Sequence, residues 1–171
     1  AVPRCEVRLV DPTRLSVCSG DTISFCAPVT PPDGAVTYSW SATGGTIVTS
    51  PSASCVTARA DGGLTLSVTA SIARNNCTTT CDKSVPIETP ACEIVPGALT
   101  PAYICAGTAA VEFCANVTPS GGFVTYAWSV SGGARIIGAA NLRCVSLQVD
   151  GGPDFLLTLD ATRNGCATRC T

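Results

Sequence analysis

The sequence predicts an all-β protein made of two tandem antiparallel sandwiches, and three observations carry that prediction. The ten residues VTYSWSATGG, starting at Val36, recur almost unchanged as VTYAWSVSGG from Val124, each with a single Trp at its centre. Aligned outward from those Trp residues, Cys5 matches Cys92, Cys18 matches Cys105, Cys26 matches Cys114, Cys55 matches Cys144, Cys77 matches Cys166 and Cys81 matches Cys170. The offset moves only from 87 to 89. A repeat with seven fixed landmarks has to be read before any local structure. Within each copy the apolar residues alternate with polar ones, and no segment keeps an apolar stripe of helical period.

The elements follow in order. Copy 1 spans residues 1–88 and copy 2 residues 89–171. In copy 1 a first strand runs from Cys5 to a turn at Cys18. DTISFCAPV follows as a second strand, PPDG as a turn, and VTYSW as a third strand closed by TGG. A strand then starts at Cys55, GLTLSVTASI alternates cleanly, and DKSVPIETPA after Cys81 reads as a last strand plus a short linker. Copy 2 repeats the plan with AAVEFCANV, TPSGG, VTYAW, SGG and DFLLTLDAT, then stops at Thr171. It is therefore expected to lack the final strand. Thr, Val, Ile and Leu enrich the runs, and Gly, Pro and Asp mark the turns, as short sandwich strands require.

Composition narrows the function. Charged residues are 13% of the 171, the net charge is -2, and His and Met are absent. Nothing in that balance attracts phosphate, so nucleic acid is not an expected partner. A nucleophile needs a nearby base, and isolated carboxylates do not supply one, so no enzyme, cofactor or metal is expected. Twelve Cys, an even number, in a chain whose first residue is Ala point to a processed, exported, disulfide-bonded protein. No apolar run reaches the roughly 18 residues of a membrane span.

At this level of detail the order CSGDTISF, YSW, GG, GGLTLSVTAS and NNC, repeated as CAGTAAVEF, YAW, GGPDFLLTLDAT and NGC, resembles the PKD-type and related immunoglobulin-like modules of bacterial surface proteins. The resemblance covers most of both copies. It implies tandem immunoglobulin-like sandwiches serving as spacers, adhesion domains or filament units. Six Cys per copy is a heavier load than such modules are expected to carry.

Individual residues refine the expectation. Trp40 and Trp128 fall on what reads as a central strand and are expected in the two cores. Tyr103, Phe123 and Phe155 lie near turns and strand starts, where ordinary edge packing is the expected place and an exposed aromatic meeting a ligand the alternative. Asp61 and Asp150, each before two Gly, and Asp33 and Asp154 read as turn residues, since calcium would need several converging oxygens. The Cys77/Cys81 and Cys166/Cys170 spacings fit disulfides better than zinc. Asn76 and Asn116 match the glycosylation acceptor pattern and receive no role.

Six Cys allow fifteen pairings per copy. In the sandwich the resemblance implies, the strands carrying Cys26 and Cys55 are neighbours, so Cys26 with Cys55 and Cys114 with Cys144 are the expected bridges within each domain. Cys5, Cys77 and Cys81 share one end of the domain. Cys18 lies a strand length away, about 20 Å, beyond the roughly 7 Å a disulfide spans. Cys18 is therefore expected to bond to Cys92, Cys166 or Cys170 of the second copy, and Cys105 to Cys5, Cys77 or Cys81 of another molecule. All eight are candidates for bridges between domains or subunits.

The missing last strand of copy 2 would leave a sheet edge, which strand donation can cover. Ala1, Val2, Pro3 and Arg4 are the donor candidates because AVPR echoes SVPI ahead of the second copy. The expected function is thus a structural subunit of a secreted filament that polymerises with itself head to tail. The competing expectation is a monomeric adhesion or carbohydrate-binding module that meets a cell-surface glycan or a host surface.

Overall fold

The computed structural model describes the chain apart from residues 1–3, 31–33, 99, 101–103, 106, 108–109 and 153. It divides into two compact units, Ala1–Thr89 and Pro90–Thr171, called domains 1 and 2 below. Each is an immunoglobulin-like β-sandwich.

Domain 1 contains β1 (Arg4–Cys5), β2 (Arg8–Leu9), β3 (Val17–Cys18), β4 (Thr22–Cys26), β5 (Val29–Thr30), β6 (Val36–Thr43), β7 (Gly45–Ile47), β8 (Cys55–Ala60), β9 (Thr65–Arg74) and β10 (Cys77–Glu88). One sheet has the order β2-β4-β8-β7 and the facing sheet β3-β10-β9-β6, while β1 pairs with β5. The alternation of β9 turns Leu66, Val68, Ala70 and Ile72 inward, all fully buried, against Ile23 and Phe25 of β4 and Val56 and Ala58 of β8. A strand with one solvated face needs this period of two, and the sequence supplies it. Asn75 and Asn76, both at positive φ, make the tight turn from β9 to β10.

Domain 2 contains β11 (Ala91–Pro96), β12 (Val111–Thr118), β13 (Val124–Gly132), β14 (Ala134–Ile137), β15 (Cys144–Val149), β16 (Phe155–Arg163) and β17 (Cys166–Cys170). Its sheets have the orders β11-β12-β15-β14 and β13-β16-β17. Val111, Ala115, Val145, Leu147, Leu157, Leu159 and Ala161 fill the core between them.

Trp40 and Trp128 are each 5% exposed, but their strands are not central. β6 and β13 each stand last in their sheet order. Alternation decides which face of a sheet a side chain takes and says nothing about how many neighbours its strand has. Both indoles are capped the same way: the backbone N–H of Trp40 donates to Pro51 O and Nε1–H to Ala53 O, while in domain 2 the acceptors are Ala140 O and Leu142 O. The loop after the second strand of the GG segment therefore closes over the indole and satisfies its one polar atom.

The GG pairs are more than turns. Gly45 begins β7, and a Cβ there would lie 2.2 Å from Arg59 O. At Gly133 it would lie 1.9 Å from Gly151 O. Only glycine lets the backbones approach so closely where the chain crosses from one sheet to the other.

Candidate assembly surfaces

The cysteines of each domain fall into matching pairs. Cys26 and Cys55 face each other across β4 and β8, and Cys114 and Cys144 across β12 and β15, with Cα separations of 4.0 and 3.9 Å. The disulfides Cys5–Cys81 and Cys92–Cys170 have Cα separations of 5.9 and 5.8 Å. These four, expected among the bridges between domains or subunits, instead close within their own domains. The first strand of each domain lies beside the strand carrying the later cysteine, within the range a disulfide spans. Cys77 and Cys81 sit four residues apart on one strand, β10.

Cys18 and Cys166 are also disulfide-bonded. Cys77 is a half-buried thiol and Cys105 an exposed one. The two copies therefore treat matched positions differently: Cys18 is oxidised where its counterpart Cys105 is a thiol, and Cys166 is oxidised where its counterpart Cys77 is a thiol. Among the described residues, one group of metal-ligand type converges, Glu112 with Cys114 and Cys144. Its two sulfurs form a disulfide, which removes the thiolates a metal would need.

The aromatic candidates separate. Tyr103 lies outside the described residues, as do Ala1, Val2, Pro3 and Asp33. Phe155 packs edge-on against Phe113, ring centroids 6.2 Å apart, and joins the core of domain 2. It thus takes the edge-packing place and not the ligand-facing one, because the first residue of β16 turns inward. Phe123 is 75% exposed on a loop pinned from two sides. Its N–H donates to Asn164 Oδ1 at 3.0 Å and its carbonyl accepts from the Asn164 N–H at 2.9 Å, while Arg163 Nε donates to Gly121 O. Beside it lies a groove of about 550 Å³ lined by Asn116, Val117, Ser120, Tyr126 and Arg143.

The turn aspartates are engaged by arginines. Asp61 meets Arg59 at 2.8 Å and Asp150 meets Arg135 at 3.2 Å. The Thr46 hydroxyl, followed by Arg59, holds the Asp61 carboxyl below its ordinary range. On the outer face of domain 2, Arg169 donates two hydrogen bonds to Asp160, at 2.6 and 2.9 Å. They depress the Asp160 carboxyl and raise the guanidinium. Arg4, the described member of the donor candidates, is exposed on β1 and pairs with Thr30.

No helix of the described residues is long and apolar enough to cross a membrane. No family model matches the chain, and no curated protein matches it. Among solved structures, it is similar to the three N-terminal domains of the highly immunogenic outer capsid protein of bacteriophage RB49, with 16% identity and a TM-score of 0.48. That match covers 99% of this chain and 57% of the other. It is also similar to the D00-D0 domain of intimin, with 15% identity and a TM-score of 0.47, covering 97% and 96%. A protocadherin gammaB7 EC3-6 cis-dimer structure matches with 16% identity and a TM-score of 0.41, covering 99% of this chain. The chain spans about half the length of the first two solved chains it matches, 46% of the protocadherin and 57% of the capsid protein.

Proposed function

We propose that this chain is a non-catalytic structural subunit of an extracellular filament, in which copies join head to tail through a disulfide between Cys105 of one copy and Cys77 of the next, with residues 1–4 contributing to the junction. The observation that carries the reading is the oxidation pattern: ten cysteines are disulfide-bonded, while a half-buried thiol sits in domain 1 and an exposed one in domain 2. Their matched positions in the other copy are both oxidised, so the thiols mark what a repeating contact would consume. A contact of this kind joins two different surfaces, and so it propagates rather than closing on itself. Forming the bond removes two protons and two electrons. A low-molecular-weight or protein disulfide accepts them by thiol–disulfide exchange and leaves as two thiols.

The test is a denaturing gel of oxidised protein with and without reductant, followed by mass-spectrometric mapping of linked peptides. A ladder that collapses to one 17.3 kDa band on reduction, with Cys105 joined to Cys77, supports the reading. A single band in both lanes removes the covalent filament.

A second reading, a surface module that binds glycan, is favoured by Phe123. An aromatic held rigidly in the open beside a groove carrying Asn116, Ser120 and Arg143 is suited to stacking a sugar while polar groups meet its hydroxyls. Saturable binding on a glycan array, lost in Phe123→Ala, would support it. A blank array would dismiss it.

A further inference from the structure

The disulfides differ in where they sit. Cys5–Cys81 and Cys92–Cys170 pack against the two cores. Cys26–Cys55 and Cys114–Cys144 lie on the opposite face of their sheets. Phe25 opposite Val56 is a buried rung of domain 1, and Cys26 opposite Cys55 is the next rung, so alternation turns both sulfurs outward. In domain 2, Phe113 opposite Val145 faces the core, and Cys114 opposite Cys144 faces away from it.

The two outward bonds have different surroundings. Cys55 is exposed, while Cys26, Cys114 and Cys144 are half-buried. β7 ends at Ile47, opposite Ala58, so among the described residues no strand runs beside Cys55 on the side away from Cys26. Arg8 stands opposite Cys26 in the ladder, and Glu6 accepts two hydrogen bonds from its guanidinium, at 2.9 and 2.6 Å. A balanced ion pair thus borders Cys26. Val95 takes the place of Arg8 in domain 2, and Glu112, where domain 1 has Ser24, brings a carboxylate oxygen to 3.9 Å from Cys114 Sγ. Arg143, the cation next to Cys144 in the chain, is turned to Ala115 O. A carboxylate that close to the sulfur repels an incoming thiolate, and it also disfavours the sulfur that would leave as one.

We propose that Cys26–Cys55 is a thiol-exchange site, at which a thiolate adds to Cys55 and Cys26 leaves. The attacking sulfur bonds to Cys55 Sγ and the bond from Cys55 to Cys26 breaks. Its electron pair departs on Cys26 Sγ, which takes up the proton that the attacking thiol released. One disulfide replaces another, so no oxidant is required. Exposure selects Cys55 as the sulfur attacked. The ladder from Thr22 opposite Arg59 to Cys26 opposite Cys55 keeps the released thiol beside the mixed disulfide, where it can expel the incoming group and restore the bond. The site is therefore a reversible anchor for a thiol-bearing partner, and Cys114–Cys144 is its protected counterpart. It stands whether or not copies join head to tail.

The experiment uses the full oxidised chain with Cys77 and Cys105 first blocked by N-ethylmaleimide. Reduced glutathione is added without denaturant, samples are quenched at intervals with iodoacetamide, and each cysteine is mapped by mass spectrometry. Glutathione on Cys55 with alkylation of Cys26 is expected at least tenfold faster than any change at Cys114, Cys144, Cys5 or Cys81. Equal rates at the two outward bonds, or faster reaction in domain 2, overturn the site. Glutathione on Cys26 with alkylation of Cys55 overturns the direction of attack. Glu112→Gln is expected to speed reaction at Cys114–Cys144 at least threefold, and an unchanged rate overturns the carboxylate as the reason that bond is protected. A second arm leaves Cys77 and Cys105 unblocked and omits glutathione. Copies linked through Cys55 then identify a second copy as the source of the thiol, whereas monomers that react only with glutathione assign the site to small thiols.

Discussion

Removing the side chains that close domain 1 measures what a closing strand is worth. Val85 and Ile87 lie on the last part of β10, and both are buried. Val85→Ala deletes two carbons at about 0.8 kcal/mol each, and the void left behind brings the cost to about 2 kcal/mol. Ile87→Ala deletes three and should cost about 3 kcal/mol. The two share one face of one strand, so the double variant should fall short of the sum, at about 4 kcal/mol.

Urea unfolding followed by tryptophan fluorescence resolves this, because each domain has one Trp and Trp128→Phe leaves Trp40 as the reporter of domain 1. With a slope of about 1 kcal/mol/M for a domain of this size, Val85→Ala should lower the Trp40 midpoint by about 2 M. In a Trp40→Phe background the Trp128 midpoint should move by less than about 0.3 M. A double variant that costs under about 1 kcal/mol would refute the reasoning. The closing strand would then contribute little to domain 1.

Other outcomes follow from the same geometry. Gly45→Ala and Gly133→Ala should each destabilise their own domain by more than about 2 kcal/mol, since the new Cβ meets backbone and not a movable side chain; chemical denaturation checks this. Replacing the pair Cys5 and Cys81 by Ser should cost more than replacing Cys26 and Cys55, about 4.5 against about 3.6 kcal/mol on chain entropy, because the sequence separations are 76 and 29. The pairing of Asp160 with Arg169 contributes stability that is present above the ordinary carboxylate value of 3.8 and lost as pH falls through the lower folded-state value. Asp160→Asn should therefore flatten the pH dependence of domain 2 below pH 4 and leave that of domain 1 unchanged, as thermal melts would show.

The architecture could be read from the letters because its markers are rare residues under tight geometric demand. A Trp that must be buried and capped, and cysteines that must meet across adjacent strands, repeat together or not at all. Alternation exposed the inward faces of β9 and β16 for the same reason. What escaped was neighbour relations. Cys5, Cys77 and Cys81 could be placed at one end of the domain, but the two-residue strand β1 carries no period, so nothing told that Cys5 would pair with Cys81 and not Cys77. The pattern around Trp40 fixed its face and left open that β6 is an outer strand. For Phe155 the letters left edge packing and a ligand-facing place both open, because a strand's first residue resembles the turn before it. At the site, the difference between Cys18 and Cys105 is invisible in the sequence, where both are simply Cys after a β-branched apolar residue, Val17 or Ile104. It emerges only from what lies beside them.

The disulfides Cys5–Cys81 and Cys92–Cys170 have a mechanical consequence. Tension applied along the chain reaches domain 1 at Cys5 and passes straight to Cys81 across a Cα distance of 5.9 Å. The enclosed stretch, which could otherwise pay out about 250 Å of extended chain, carries no load. The same shortcut spans 5.8 Å in domain 2. Pulled from its ends, the oxidised chain can lengthen only through the segments outside the two loops, so its sandwiches stay folded at forces that would unravel reduced ones. A force–extension trace recorded before and after reductant would show the hidden length appear.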